Sequence, residues 1–125
     1  MTQLLLRGQI QSVRELVHDL RLQGEDEIKL IAVMLGQFRT YLQVKLLSAQ
    51  GKSEQQIVSS LSDYLGRKVN QFQVSFALRD SRPLSVAFLK KTIKILVETD
   101  YQIKTGTLDK DYLFDLAFLK IVSNR

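Results

Sequence analysis

Apolar residues recur along this chain at the three- and four-residue spacing of a helix face, and nowhere do they alternate long enough for a convincing strand. The pattern predicts seven helices. A short one covers residues 2–7 and stops at Gly8. A second, residues 9–22, puts Ile10, Val13, Leu16, Val17 and Leu20 on one face and closes at Gly24, as a C-terminal glycine does. The third, residues 26–50, carries two stripes. One holds Ile28, Ile31, Leu35, Leu42 and Leu46; the other holds Leu30, Met34, Phe38, Tyr41 and Val44. A helix apolar on most sides is central or lies at an interface. Ser53 with Gln56 three residues on forms a capping box. It opens a fourth helix that bears Ile57, Val58, Leu61 and Leu65 and breaks at Gly66. The fifth, residues 70–81, carries Phe72, Val74, Phe76, Ala77 and Leu78. Pro83 punctuates the next turn, because the residue before proline avoids helical geometry. A sixth helix opens at or beside Ser85 and ends at Gly106. The last, residues 109–122, has Asp109 as its N-cap and Asp111 in the first turn, where a carboxylate suits the helix dipole. Its Tyr112, Leu113, Leu116, Phe118, Leu119, Ile121 and Val122 leave little polar surface.

One position breaks the pattern. Val86, Leu89, Ile93, Leu96 and Ile103 make the stripe of the sixth helix, and Asp100 falls on it where an aliphatic residue is expected. A buried carboxylate needs a partner. Lys104 is one turn later, at the spacing that faces i on a helix.

Short connections between these segments predict an all-α fold, a single compact bundle of about six to seven helices spanning residues 1–125. That length suits one domain. With 45% apolar and 25% charged residues, the composition is that of an ordinary soluble protein. There is no cysteine, which excludes disulfides and thiolate metal sites and agrees with a cytosolic address. The N-terminus lacks the basic start and long apolar core of a signal peptide. The longest apolar run is the six residues from Leu30 to Leu35, far short of the ~20 that span a bilayer. The net charge of +5 is uneven: seven bases face six acids in residues 1–62, and eleven face seven in residues 63–125. A basic half permits contact with nucleic acid or an acidic partner.

The catalytic inventory is thin. His18 is the single histidine, on a helix between Val17 and Asp19, and no ligand cluster or nucleophile accompanies it. The glycines form no phosphate loop. Glu25, Asp26 and Glu27 read as acids complementing a helix dipole rather than as metal ligands. Neither cofactor, metal nor catalytic residue is expected. The segment from Ser53 to Leu78 has the flavour of a helix-turn-helix, so a small DNA-binding protein is the alternative. Against it, residues 62–68 lengthen the turn beyond that motif's three or four residues. The would-be recognition helix carries Arg79 as its one base, beside Asp80, where groove readers bring several phosphate-binding cations. Lys90, Lys91, Lys94 and Glu98 read as a solvated face.

Three runs are more telling together than singly. Gln37-Phe38-Arg39 precedes Leu42-Gln43-Val44-Lys45. Phe76-Ala77-Leu78-Arg79 precedes a turn. Asp100-Tyr101-Gln102-Ile103-Lys104-Thr105-Gly106 is followed by Asp109. In that order and spacing the chain resembles the C-terminal domain of the DNA polymerase III delta subunit, one component of the bacterial clamp loader. The resemblance extends from Leu4-Leu5-Leu6-Arg7-Gly8 to Leu119 and includes the Gly24-Glu25 junction. It departs at residues 62–68, which look longer than the family's Leu-Gly-Val turn.

The resemblance implies a fragment: the helical collar of a longer AAA+-like subunit. In that family the N-terminal domain binds and opens the sliding clamp. The collar holds delta in a five-subunit ring with delta-prime and the tau or gamma subunits. The sliding clamp and DNA would be met through the full complex in the cytoplasm, with no membrane involved. Labels such as DNA-directed DNA polymerase or nucleotidyltransferase would attach through the holoenzyme. Candidate interface or packing residues are Phe38, Arg39, Gln43, Lys45, Asp100, Tyr101 and Lys104. Phe38 and Arg39 anchor a partner if their face points outward. If it points inward, Arg39 becomes a second possible partner for Asp100.

Overall fold

The computed structural model describes residues 27–106 and 108–124. Among them are five α-helices and no strand, so the all-α class holds. They are α1 (Glu27–Ala49), α2 (Glu54–Leu65), α3 (Gln71–Ser81), α4 (Val86–Thr105) and α5 (Lys110–Ser123). The helices predicted over residues 2–7 and 9–22, with His18 and the Gly24-Glu25 junction, lie outside the described residues. The chain divides into two compact units, Gln37–Lys90 on the one hand and Met1–Gly36 with Lys91–Arg125 on the other.

In the unit Gln37–Lys90 the buried side chains are Phe38, Tyr41 and Val44 from α1, Ile57 and Leu61 from α2, Val69, Val74 and Ala77 around α3, and Leu84, Phe88 and Leu89 beyond it. Phe38 and Tyr41 meet edge to face with centroids 5.7 Å apart, a favoured aromatic geometry. The capping box forms as its sequence requires. The Gln56 N–H donates to Ser53 Oγ at 3.3 Å, and the Ser53 N–H donates to Gln56 Oε1 at 2.8 Å. At the other end of α2, Gly66 takes φ +69°, the left-handed region that glycine enters without a Cβ penalty.

Residues 62–65 are not an insertion in a turn but the last turn of α2, and the link to α3 is residues 66–70. Ser62 makes this arrangement close. Its Oγ donates to the Val58 carbonyl at 2.7 Å and accepts the Val69 N–H at 3.0 Å. The returning backbone is thereby tied to α2 while Val69 inserts its side chain into the core. Asn70 then caps α3 by accepting the Phe72 N–H at 2.8 Å.

At α3 the apolar residues divide between two faces, and one expectation fails. The buried positions of the helix are Val74, Ala77 and Ser81, while Phe72 and Phe76 are 73% and 53% exposed. Helical geometry allows one stripe inward, and the smaller residues take it. Arg82, before Pro83, keeps helical angles (φ −54°, ψ −46°). The helix therefore ends because Pro83 has no N–H to donate, rather than because Arg82 leaves the helical region.

In the other unit the buried residues among those described are Leu30, Ile31 and Met34 of α1, Thr92, Leu96, Thr99 and Ile103 of α4, and Leu113, Phe114, Ala117, Phe118 and Ile121 of α5. On α5 these positions form one face, with Phe114 and Phe118 edge to face at 4.5 Å. Phe114 and Ala117 belong to the core although the predicted stripe omits them. Tyr112 and Leu119, which it includes, are exposed. Asp109 caps α5 as predicted, its Oδ1 accepting the N–H groups of Asp111 and Tyr112. Buried Thr99 satisfies its hydroxyl by donating to the Ile95 carbonyl at 2.7 Å. Buried Thr92 Oγ1 has no hydrogen-bond partner among the described residues.

Replacing Ser62 with Ala removes the acceptor for the Val69 N–H. The expected cost is about 1–2 kcal/mol, seen as a lower thermal midpoint with the helical content of the folded state unchanged by circular dichroism.

Candidate functional site

Lys45 has the most clearly defined role among the predicted residues. Its Nζ donates to the carbonyls of Ser81 at 3.1 Å and Arg82 at 3.3 Å. These are terminal carbonyls of α3, which have no partner within the helix. They also mark the negative end of the helix dipole, where a cation is favoured. Ser81 is buried, and its carbonyl additionally accepts the Leu84 N–H at 3.0 Å. A lysine on α1 thus supplies the cap that Pro83 cannot.

One turn before Lys45, Tyr41 lies in the same region. Burial pushes its phenol pKa above the usual value, the Asp80 carboxylate adds to the rise, and the Arg79 guanidinium partly offsets it. The neutral phenol is therefore the form that the fold favours. Arg79 and Asp80 pair with each other, Nε to Oδ1 at 3.2 Å. The guanidinium also sits 5.0 Å from the centroid of the Phe76 ring, within cation–π range.

Asp100 pairs with Lys104 at 2.9 Å. The pair is partly solvated, with side-chain exposures of 23% and 57%, so Asp100 is not the core carboxylate that the stripe suggested. The core position belongs to its neighbour Thr99, which is small enough to bury once its hydroxyl bonds back along the helix. Asp100 leans outward to its lysine. The rest of the run finishes the helix. Ile103 is buried, the Thr105 hydroxyl donates to the Gln102 carbonyl at 3.0 Å, and Gly106 turns the chain at φ +69°. Tyr101, within the same run, is exposed.

The two faces of the Phe38-Arg39 pair differ. Phe38 is completely buried and Arg39 is exposed. Consecutive helical residues point about 100° apart, so a shared outward or inward face was never available to them. Phe38 packs in the core of its unit. Gln43 is half-buried on α1.

The exposed pair Phe72 and Phe76 was missed as a surface feature. Its signal was the second stripe of α3, where Val74, Ala77 and Ser81 compete with the aromatics for the inward face. Among the described residues no group of three or more His, Cys, Asp or Glu side chains is placed to hold a metal. No helix among them is long and apolar enough to cross a membrane. Nothing among the described residues favours DNA reading: the link between α2 and α3 is longer than a compact helix-turn-helix turn, and α3 carries a single base, Arg79, where groove readers bring several cations.

Residues 1–121 match the family described as DNA polymerase III delta subunit, C-terminal domain. Over 108 residues the chain is 36% identical to DNA polymerase III subunit delta of Bacillus subtilis (strain 168), covering 86% of this chain and 29% of that protein. Its fold superposes on that of the Bacillus subtilis DNA clamp loader delta protein (YqeN) with a TM-score of 0.82 and 34% identity, over 98% of this chain and 34% of that one. The chain belongs to the family of C-terminal domains of the DNA polymerase III delta subunit. It spans about a third of the length of these relatives.

Two measurements check the geometry. Lys45→Met keeps the aliphatic stem and removes the donor. The expected loss is about 1 kcal/mol, below the ~1.5–3 kcal/mol of charged hydrogen bonds because the ammonium is partly solvated. It is read from chemical denaturation. Tyr41 has a folded-state pKa above its unfolded value, so its contribution to stability is intact below about pH 10 and is lost as pH rises through the folded value. Stability should fall more steeply above about pH 10 in the native chain than in Tyr41→Phe.

Proposed function

We propose that this chain is a non-catalytic assembly domain, the collar of a clamp-loader delta subunit. Its work is to hold delta in a ring with delta-prime and the tau or gamma subunits. The observation that carries this reading is the likeness over nearly the whole chain to a clamp loader delta protein, together with the family match. In this reading the parent is a longer, AAA+-like protein. Clamp opening and contact with DNA belong to that parent and its complex, and the setting is the bacterial cytoplasm. Any polymerase or nucleotidyltransferase label comes from the holoenzyme.

The chain's surface chemistry supports a role in assembly. Val97 and Tyr101 on α4, Leu108, and Tyr112 and Leu119 on α5 are large apolar side chains left exposed. Val97 and Tyr101 are one turn apart on α4, and Tyr112 and Leu119 are two turns apart on α5, spacings that put each pair on one face of its helix. Arg39 adds an exposed guanidinium, a group enriched where protein partners meet.

The test mixes the full-length delta protein with delta-prime and tau or gamma at micromolar concentration and follows gel filtration. Co-elution as one complex is expected, and persistent separate elution would defeat the proposal. Arg39→Ala should keep the thermal midpoint of the native protein, because the side chain is exposed, and should weaken co-elution.

A further inference from the structure

The outer face of α3 carries an unusual combination. Phe72 and Phe76 stand in solvent one turn apart, and Arg79 follows on the same face. Two contacts hold the guanidinium in place, the Phe76 ring at 5.0 Å and the Asp80 carboxylate on Nε at 3.2 Å. Its terminal amino groups make no hydrogen bond among the described residues, and the side chain is 63% exposed. A guanidinium fixed in this way presents a free fork that matches a carboxylate. Aromatic and arginine side chains are the types that carry most interface energy.

We infer that this face is where the chain docks a neighbouring protein of the assembly, and that the docking segment is an acidic amphipathic helix. Its aliphatic side chains lie against Phe72 and Phe76, and its carboxylate takes the fork of Arg79. The inference rests on the assembly role proposed above and adds a surface on α3 to the exposed residues named there. Charge argues for the acidic character of the partner: between Arg67 and Arg82 the chain holds Arg67, Lys68, Arg79 and Arg82 against Asp80 alone. Spacing argues for a helix, since two side chains four residues apart form a ridge that fits the groove of another helix. A nucleic acid fits less well. Stacking a base needs the open face of a ring, and Arg79 covers one face of Phe76.

The experiment uses full-length delta carrying Phe72→Ser with Phe76→Ser, or Arg79→Glu, or Arg79→Lys, mixed with delta-prime and tau or gamma. The changed residues are exposed, so thermal midpoints should match the native protein. Hydrogen exchange of residues 71–81 in native delta, free and in the complex, gives a measurement independent of any variant. The expected result is association weakened about tenfold or more by the double serine variant and by Arg79→Glu, less by Arg79→Lys, with exchange over 71–81 slowed in the complex. Native-like association of the variants, or unchanged exchange, overturns the inference while leaving the assembly role intact. Failure of native delta to associate overturns both. Loss of salt-sensitive binding to a single-stranded oligonucleotide, with association unchanged, overturns the inference in favour of a nucleic-acid surface.

Discussion

The end of α3 is the constraint on which the unit Gln37–Lys90 depends. A helix that stops before a proline leaves carbonyls without donors, and at Ser81 the stop is buried. An unpaired buried carbonyl costs more than a hydrogen bond contributes. Lys45 removes that cost from another helix, and the Leu84 N–H shares the load. Pro83 sets where α3 ends, and the ammonium, reaching two consecutive carbonyls, ties that end to α1. Val74 and Ala77 then face inward, and Phe72, Phe76 and Arg79 face outward.

The same logic governs the start of α3. A five-residue link would fray if its backbone groups were left to water, but Ser62 takes the Val69 N–H and lets the valine bury. Serine in the last turn of a helix usually competes with the helix itself. Here it bonds to the helix and to the link at once, so the competition becomes a tie. The outer face of α3 is therefore presented by a helix held at both ends, as a contact surface requires.

Much was legible in the residues alone because it is local. The Ser53-Gln56 box, the Asp109 cap and the glycine stop at 66 follow from groups a few residues apart, and their chemistry does not need the rest of the fold. The Asp100–Lys104 pair is of the same kind. The family resemblance rested on runs of this sort, and the match over residues 1–121 agrees with it. What was illegible is equally physical. Two helices, α3 and α5, carry more apolar residues than one face can hold. Periodicity marks the alternatives without ranking them, which is why it did not single out Phe72 and Phe76 as exposed and passed over Phe114. Asp100 falls on the stripe of α4 and Thr99 beside it, yet packing buries Thr99, whose hydroxyl donates to the Ile95 carbonyl.

By itself, then, the amino-acid sequence determined the helical class, the helix ends that local caps specify, and the family. These depend on interactions within a turn or two of the chain, where spacing and residue type suffice. The tertiary structure alone decided which stripe of α3 turns to the core, that Lys45 serves as its cap from thirty-six residues away, and that Phe38 and Arg39 part to opposite environments. Those outcomes depend on which surfaces meet, and a donor searching for an acceptor across that distance leaves no periodicity to read.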